Sequence, residues 1–549
     1  MNMDFNSAKR AMRKTLPALM LLVLCGACAG LRNAPENQQD SSQVDKNDAL
    51  IRLADDIFRP FAEQGERHAQ FSLGQMYANG DGVPQDLEQA VFWYTKAAEQ
   101  GNALAQYNLG RLFASGEGVP EDMEQAAFWY AKAAEQGNSA AQLALAGYYN
   151  ISRGGKTKDI QKMEFWLVKS AEQGNTQAQH ALGLMNSSKK WLQNDEKQAA
   201  LWFAQAAVQG RKESLFQVGY MYNFGAGVPK DSKQAFYWYT KAVEQGEADA
   251  QVALGYMYAN GDGVPKDLKT AAQWFAKAAE QQNPLAQRLL GHMYKNGQGV
   301  AKDSNKALEL YTKSAEQGNA EAQTSLGFMY QQGQGVSKDI NMAVAWYTKA
   351  ADQGETEAQT KLAYIYENGE EGIPEDLPQA AAWLTKAAEL GDGFAQWSLG
   401  TMFESGKGVT QDPQMAVEWY TKAAEQGNLT GLYHLGLCYR DGTGVPQDYQ
   451  KAIELLTNAA EKGYWFAPSE LAMMYETGEG DKKDLIQAYA WYDVAVALDF
   501  CQADRDRDRI AQELSPSALT SGKDLSKKLL KKIISNMNEL QSPEMTLPL

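Results

Sequence analysis

Histidine and cysteine are scarce in this 549-residue chain, with four of each. His68, His180, His292 and His434 are never neighbours in sequence. Neither a zinc site nor a nucleophile–base pair is therefore built locally. Cys25, Cys28, Cys438 and Cys501 form no even framework through the chain, which excludes a disulfide-stapled scaffold. Basic residues are outnumbered, 52 against 68 acidic, for a formal charge of −16. Residues 1–28 carry a net +3, from Lys9, Arg10, Arg13 and Lys14 against Asp4, so the remainder stands at −19. A body this acidic is a poor nucleic-acid binder, because phosphate contacts need clustered Lys and Arg. No Walker motif, calcium loop or strand-to-helix phosphate cradle is present. The one apolar run near the start, Leu16 to Leu24, is too short to span a bilayer.

What the chain has instead is repetition. Ala-Glu-Gln-Gly, or a close relative, ends at Gly65, Gly101, Gly137, Gly174, Gly210, Gly246, Gln282, Gly318, Gly354, Gly391, Gly427 and Gly463. The steps between them are 36 residues, with 37 at two places. A period of this size predicts stacked helical hairpins, each touching only its neighbours. Such arrays build extended binding surfaces more often than active sites.

Asn102 to Gly137 serves as the type unit. Asn102 caps a first helix, in which Ala105, Leu109, Gly110, Leu112 and Phe113 fall mostly on one face. Gly116-Glu117-Gly118-Val119-Pro120 ends it, the first Gly in a left-handed cap and the Pro blocking continuation. Asp122 is the next N-cap, and Gln125 completes a capping-box pattern. The second helix buries Ala126, Trp129, Tyr130, Ala133 and Ala134, and Gly137 closes it. Two adjacent units, 138–210, lose the glycine turn: Ser152 to Lys156 and Ser187 to Trp191 replace it, while Trp166 and Trp202 remain. Drift under relaxed constraint accounts for this, and so does a bend or docking patch. Cys438 stands where other units carry Met or Leu and reads as a buried apolar side chain; a Cys438–Cys501 disulfide has nothing specific behind it.

The pattern A-Q-x-x-L-G-x-M-Y-x-x-G-x-G-V-P-x-D-x-x-x-A-x-x-W-Y-x-K-A-A-E-Q-G stands almost complete from Ala69 to Gly101 and again from Ala250. It resembles the Sel1-like repeat family, cousins of the tetratricopeptide repeat, over roughly residues 55 to 515. The resemblance implies an all-α fold, a right-handed superhelical solenoid of about twelve 36-residue helix–turn–helix repeats. It also implies a non-enzymatic protein-interaction scaffold without cofactor or metal. The segments from Ala488 to Tyr492, Arg507 to Ala511 and Leu514 to Pro516 resemble the closing part of many such proteins.

The ends read differently. The basic stretch and Leu16–Leu24 make residues 1–28 a secretory signal. Gly26-Ala27-Cys28 resembles a lipoprotein signal, with Cys28 as the lipidated residue, although Cys25 departs from the usual Leu. Ala27-Cys28-Ala29 equally fits ordinary cleavage after Ala29. Ala29 behind a lipidated Cys28 implies an outer-membrane lipoprotein facing the periplasm; without the lipid the chain is soluble in the periplasm or secreted. Residues 29–46 form a polar tether. The solenoid runs over 47–512, opened by a lone second helix from Asp48 to Gly65. A capping helix and tail occupy 513–549, with Leu525, Leu529, Ile533 and Met537 four apart. Lys523, Lys527, Lys528, Lys531 and Lys532 make that helix basic, either as solvated cap residues or as a surface for acidic partners or anionic lipid.

A ligand site is expected on the first helices. Counting from the leading Ala as i, positions i, i+4 and i+8 cluster toward the core, while i+2 and i+6 point away from it, one turn apart. Position i+6 reads Tyr220, Tyr256, His292, Phe328 and Tyr364; position i+2 supplies Phe216, Arg288, Trp397 and Tyr433. By analogy with tetratricopeptide folds this side lines a concave groove. Aromatics and Arg there are the residue types that dominate interface energetics. The competing expectation is that neighbouring first helices pack through the same positions. The functions that fit are an envelope scaffold gripping a protein or peptide, a peptidoglycan- or glycan-binding protein whose aromatics stack on sugars, and a secreted effector contacting host proteins. The chain is expected to be monomeric and to meet a membrane only through Cys28.

Overall fold

A computed structural model describes residues 58–151, 157–187, 195–480, 482–498 and 503–540. The signal, the tether and Cys28, the altered turns at 152–156 and 188–194, Cys501 and the final tail lie outside the described residues. The chain divides into two compact units, one ending at Ser214 and the other beginning at Leu215. Each consists of helical hairpins in series, and among the described residues the extended backbone is limited to one isolated bridge, Glu370 with Ile373.

Each hairpin pairs a leading with a trailing helix. In the type unit these are Ala103–Ser115 and Met123–Glu135. Asn102 accepts a hydrogen bond from the Ala105 N–H, and Gly116 ends the helix at φ 70° with its own N–H on the Leu112 carbonyl. Asp122 caps the trailing helix by accepting from Glu124 and Gln125, both at 2.9 Å. A side-chain cap of this kind stabilises a helix by about 1 kcal/mol. The reciprocal half of the expected capping box does not form. The Asp122 N–H donates instead to the Phe113 carbonyl at 2.9 Å, so the leading helix's last turn occupies the donor that Gln125 would have reached. The same bond recurs down the chain, as Asp267 to Tyr258 and Asp412 to Phe403, and it fixes the loop between the two helices.

The small residues set the spacing. A Cβ added at Gly110 would lie 2.7 Å from the Tyr130 ring, and one at Gly255 would lie 2.4 Å from Phe275. In two hairpins the trailing aromatic is leucine and the leading glycine alanine: Ala146 shares a core with Leu167, and Ala363 with Leu384. The second glycine of each turn has another role. A Cβ on Gly118 would lie 2.5 Å from the Leu87 carbonyl oxygen, at the start of the preceding hairpin's trailing helix. This glycine is a contact between hairpins, not loop punctuation alone.

Glutamines tie the hairpins together. Gln136, at the end of a trailing helix, donates to the Gln106 side-chain oxygen at 2.6 Å. Gln106, buried in the leading helix, donates in turn to the Ala98 carbonyl of the preceding hairpin at 2.9 Å. The relay repeats as Gln353 to Gln323 (2.8 Å) to Ala315 (3.0 Å), and as Gln426 to Gln396 (2.8 Å) to Ala388 (3.1 Å). It satisfies carbonyls at helix ends that would otherwise be buried without a donor. The relay lapses where Leu432 replaces a leading glutamine, and at Leu390, which stands where a trailing glutamine belongs and is 59% exposed, leaving the Gln359 side-chain oxygen buried and unpartnered. An orphaned buried acceptor costs about 1–3 kcal/mol. Leu390→Gln is therefore expected to raise the stability of this region by about 1 kcal/mol. Urea unfolding should show a later midpoint at unchanged slope, and an unmoved midpoint would refute the relay's energetic role.

Gln282, the departure from the glycine series, carries φ 63° and is the only non-glycine residue in that region of the backbone among those described. Cys438 is 2% exposed within a leucine-rich core, and burial pushes its thiol up to about 12, as fits an inert apolar side chain. The last helix, Pro516–Leu540, closes unit 2 with Leu529, Ile533 and Met537 of the expected line packed into its core. Gly522 packs on Tyr489, Ser526 donates to Asp493 at 2.7 Å, Ile533 is fully buried and Met537 covers Gly463. Leu525 is only half-buried, because the close approach at Gly522 rotates the buried line away from it. Lys532 binds Glu461 at 2.6 Å, so one of the five lysines serves the cap; Lys523, Lys527, Lys528 and Lys531 are exposed.

Candidate functional site

All nine residues of the expected ladder fall in unit 2, on the leading helices Lys212–Phe224, Ala248–Asn260, Pro284–Asn296, Ala320–Gln332, Thr356–Asn368, Gly393–Ser405 and Leu429–Asp441. Their exposure is unequal. Tyr364 is 57% and Tyr220 44% exposed, while Tyr256 is 7% exposed and packs edge-on against Phe275, ring centres 5.6 Å apart. Tyr220 turns instead along its own helix to Phe224 at 4.5 Å. Phe216 is half-buried and rests on Tyr239 of its own hairpin. The column is thus divided: Tyr256 and Phe216 pack against trailing-helix rings of their own hairpins, while Tyr220 and Tyr364 reach solvent.

The middle of the column is polar. Arg288 forms an ion pair with Glu321 of the next leading helix at 2.8 Å. His292 accepts a hydrogen bond from the Asn296 amide at its Nε2, 2.9 Å away, which places the ring proton on Nδ1. Burial lowers its pKa, reinforced by Lys295 and Arg288, so the ring is neutral at neutral pH. Phe328 carries two ammonium groups over its ring, Lys295 at 4.3 Å and Lys361 at 5.9 Å. Burial lowers the Lys295 pKa; Glu357 opposes the shift and Lys361 adds to it. Sequence reasoning missed both lysines, since they sit at i+9 and i+3, off the positions counted. Helix geometry still brings them beside i+6 of a neighbouring helix.

Toward the end of the unit the face becomes aromatic. Trp397 lies 5.4 Å from Phe394 and 6.2 Å from His434; Tyr433 lies 5.0 Å from Tyr464 and 6.2 Å from Phe466; Trp465 covers Phe466 at 4.1 Å. Phe394 and Trp465 are 55% and 49% exposed. Tyr433 donates toward Glu470, which also binds Arg440 across the hairpins. Burial raises the Tyr433 pKa, with Glu470 adding to it, so the phenol stays protonated.

Unit 1 offers a second exposed row on its trailing helices. Phe92, Phe128 and Phe165 are about half exposed, each edge-on to the following Trp. A cleft of about 540 Å³ beside Phe165 and Trp166 is closed by Lys169 and Gln142. The only sequence signal was the residue before each Trp, which turns to Gln273 and Ala345 further along.

Among the described residues no three His, Cys, Asp or Glu side chains converge on a metal position. Among those residues, too, no helix is long and apolar enough to cross a membrane.

Comparison with known proteins agrees with this geometry. The Sel1 repeat family model matches twelve successive segments, the first at 67–102, the fifth at 212–247 and the last at 469–500. The chain is similar to the solved structure of c5321, a protective antigen present in uropathogenic Escherichia coli strains displaying an SLR fold. They share 34% identity over 90% of this chain and 98% of that one, with a TM-score of 0.59. A Sel1 repeat protein from Oxalobacter formigenes is 34% identical over 60% of this chain and 95% of its own, with a TM-score of 0.49. No curated protein matches the chain.

Proposed function

The chain belongs to the Sel1 repeat family, and from that premise we propose that it is an interaction scaffold of the bacterial cell envelope, holding a partner protein or peptide on the leading-helix face of unit 2. Repeat arrays of this kind work by presenting one extended surface to a partner. The observation that carries the reading is the exposure of Tyr364 and Tyr220, at 57% and 44%, beside half-buried Phe328, Trp397 and Tyr433 on the same series of helices. Large aromatics held half in solvent gain area on docking at little entropic loss. The envelope address rests on the signal-like first 28 residues, with Cys28 as the proposed lipid anchor.

The test is affinity capture from envelope extract with the mature chain and with Tyr220→Ala/Phe328→Ala/Tyr364→Ala, read by mass spectrometry. Tyr256 is left intact because it packs in the core. The variant is expected to lose a partner held by the wild type, by tenfold or more, at unchanged helicity. The same catch from both proteins would remove this face from consideration. A glycan reading is favoured at one place only, the strip from Phe394 to Trp465, whose exposed rings suit stacking on sugars. Binding of isolated sacculi, lost on Phe394→Ala/Trp465→Ala, would support it.

A further inference from the structure

Several lysines of unit 2 have a partner on or beside their own helix. Lys241, Lys306, Lys313 and Lys451 meet carboxylates on their own helices or caps, and Lys277, Lys349, Lys386 and Lys422 lie over the tryptophan three residues earlier. Lys295 and Lys361 differ. They come from two different leading helices, both are half-buried, and both ammonium groups bear on the single ring of Phe328, at 4.3 and 5.9 Å. Neither has a carboxylate within ion-pair distance among the described residues, although acidic side chains outnumber basic ones 68 to 52 over the whole chain.

The groups beside them are short of acceptors too. With Asn296 donating to its Nε2, His292 carries the proton on Nδ1, and that atom is buried without a partner. The Tyr256 hydroxyl, in a residue only 7% exposed, lies beside Arg288. Both atoms are closed to solvent, so the donors open to a ligand here are the two lysines. A carboxylate is acceptor-only and forms its strongest bonds with ammonium and N–H donors. The two ammonium groups come from leading helices Pro284–Asn296 and Thr356–Asn368, with Phe328 on the helix between them in sequence, so the site runs across three consecutive leading helices. That spread suits an extended ligand bearing several carboxylates better than one small anion.

We propose that this stretch of the leading-helix face, at Lys295, Phe328 and Lys361, receives an acidic peptide segment. The proposal rests on the reading of unit 2 as the partner-binding face and gives that partner its chemistry. Two carboxylates of the segment meet Lys295 and Lys361.

Fluorescence anisotropy of an N-terminally labelled hexaglutamate peptide with the full mature chain tests it. Saturable binding is expected at low salt, weakened at least tenfold in Lys295→Gln/Lys361→Gln and falling with added salt. Lys266→Gln/Lys302→Gln, which removes the same charge from exposed turns, should bind as the wild type does. No binding by the wild type, equal weakening in both double variants, or equal binding of a hexalysine peptide would each overturn the proposal. Capture from envelope extract separates it from its parent reading. A partner lost on Tyr220→Ala/Phe328→Ala/Tyr364→Ala but kept by the lysine pair variant would leave the face in place and remove its acidic specificity.

Discussion

Gly299→Ala is expected to destabilise unit 2 by about 3 kcal/mol, while Gly297→Ala, two residues away, costs about 1. Both glycines sit in the left-handed region, at φ 68° and 72°. Alanine is strained at either, which sets the shared part of the penalty. They differ in what a Cβ would meet. At Gly297 the nearest atom is the Lys302 Cβ at 3.4 Å, an ordinary contact. At Gly299 it is the Leu268 carbonyl oxygen at 2.1 Å, on the preceding hairpin's trailing helix, and backbone cannot move aside as a side chain does. The two hairpins must separate, and in a linear array that removes a neighbour interface directly. Urea unfolding of both variants gives the comparison. Equal penalties would mean that the close approach is not energetically tight.

Gly327→Ala should cost about 2 kcal/mol by itself, yet far less in the presence of Tyr347→Leu. Within a helix, alanine is otherwise better than glycine by about 1 kcal/mol, so any loss must come from outside the helix. Its source is the Tyr347 ring, 2.8 Å from the added Cβ. Tyr347→Leu alone leaves a cavity and removes the hydroxyl's bond to Gln331 at 2.9 Å, a loss of about 3 kcal/mol. The double variant recreates the pairing that Ala363 and Leu384 already make in the next hairpin. A coupling of about 1–2 kcal/mol in the double-mutant cycle is expected. Strict additivity would show that the two residues do not share their space.

Much of this architecture was legible in the residues. Asn102, Gly116 and Asp122 announced their caps because capping is local chemistry, decided within one turn of helix. The glutamines of the Ala-Gln and Glu-Gln-Gly motifs marked the period without revealing their work. A polar side chain in a helix reads as solvent-facing until its partner, about 30 residues away, is known. Gly118 gives no sign of its second role in the sequence, because its contact lies in another repeat. The face was harder still. Tyr220, Tyr256 and Tyr364 occupy one register position, yet one is buried and two are exposed. Rotamer and neighbouring rings, Phe224 in one case and Phe275 in another, decide that outcome, and spacing carries no trace of it.

One irregularity shows how the array changes length. The turn after Tyr364 holds an extra residue, and Glu370 and Ile373 close it by exchanging two hydrogen bonds of 3.0 and 2.8 Å. The Asp376 N–H still reaches the Tyr366 carbonyl at 2.7 Å, so the helices on either side keep their places. The added residue is looped out at the turn. Glu371, exposed at the crest of that loop, is therefore a natural graft point. An epitope or a reporter peptide spliced there inherits a rigid mount, and lineages of such proteins can acquire new loops there without rebuilding the stack beneath.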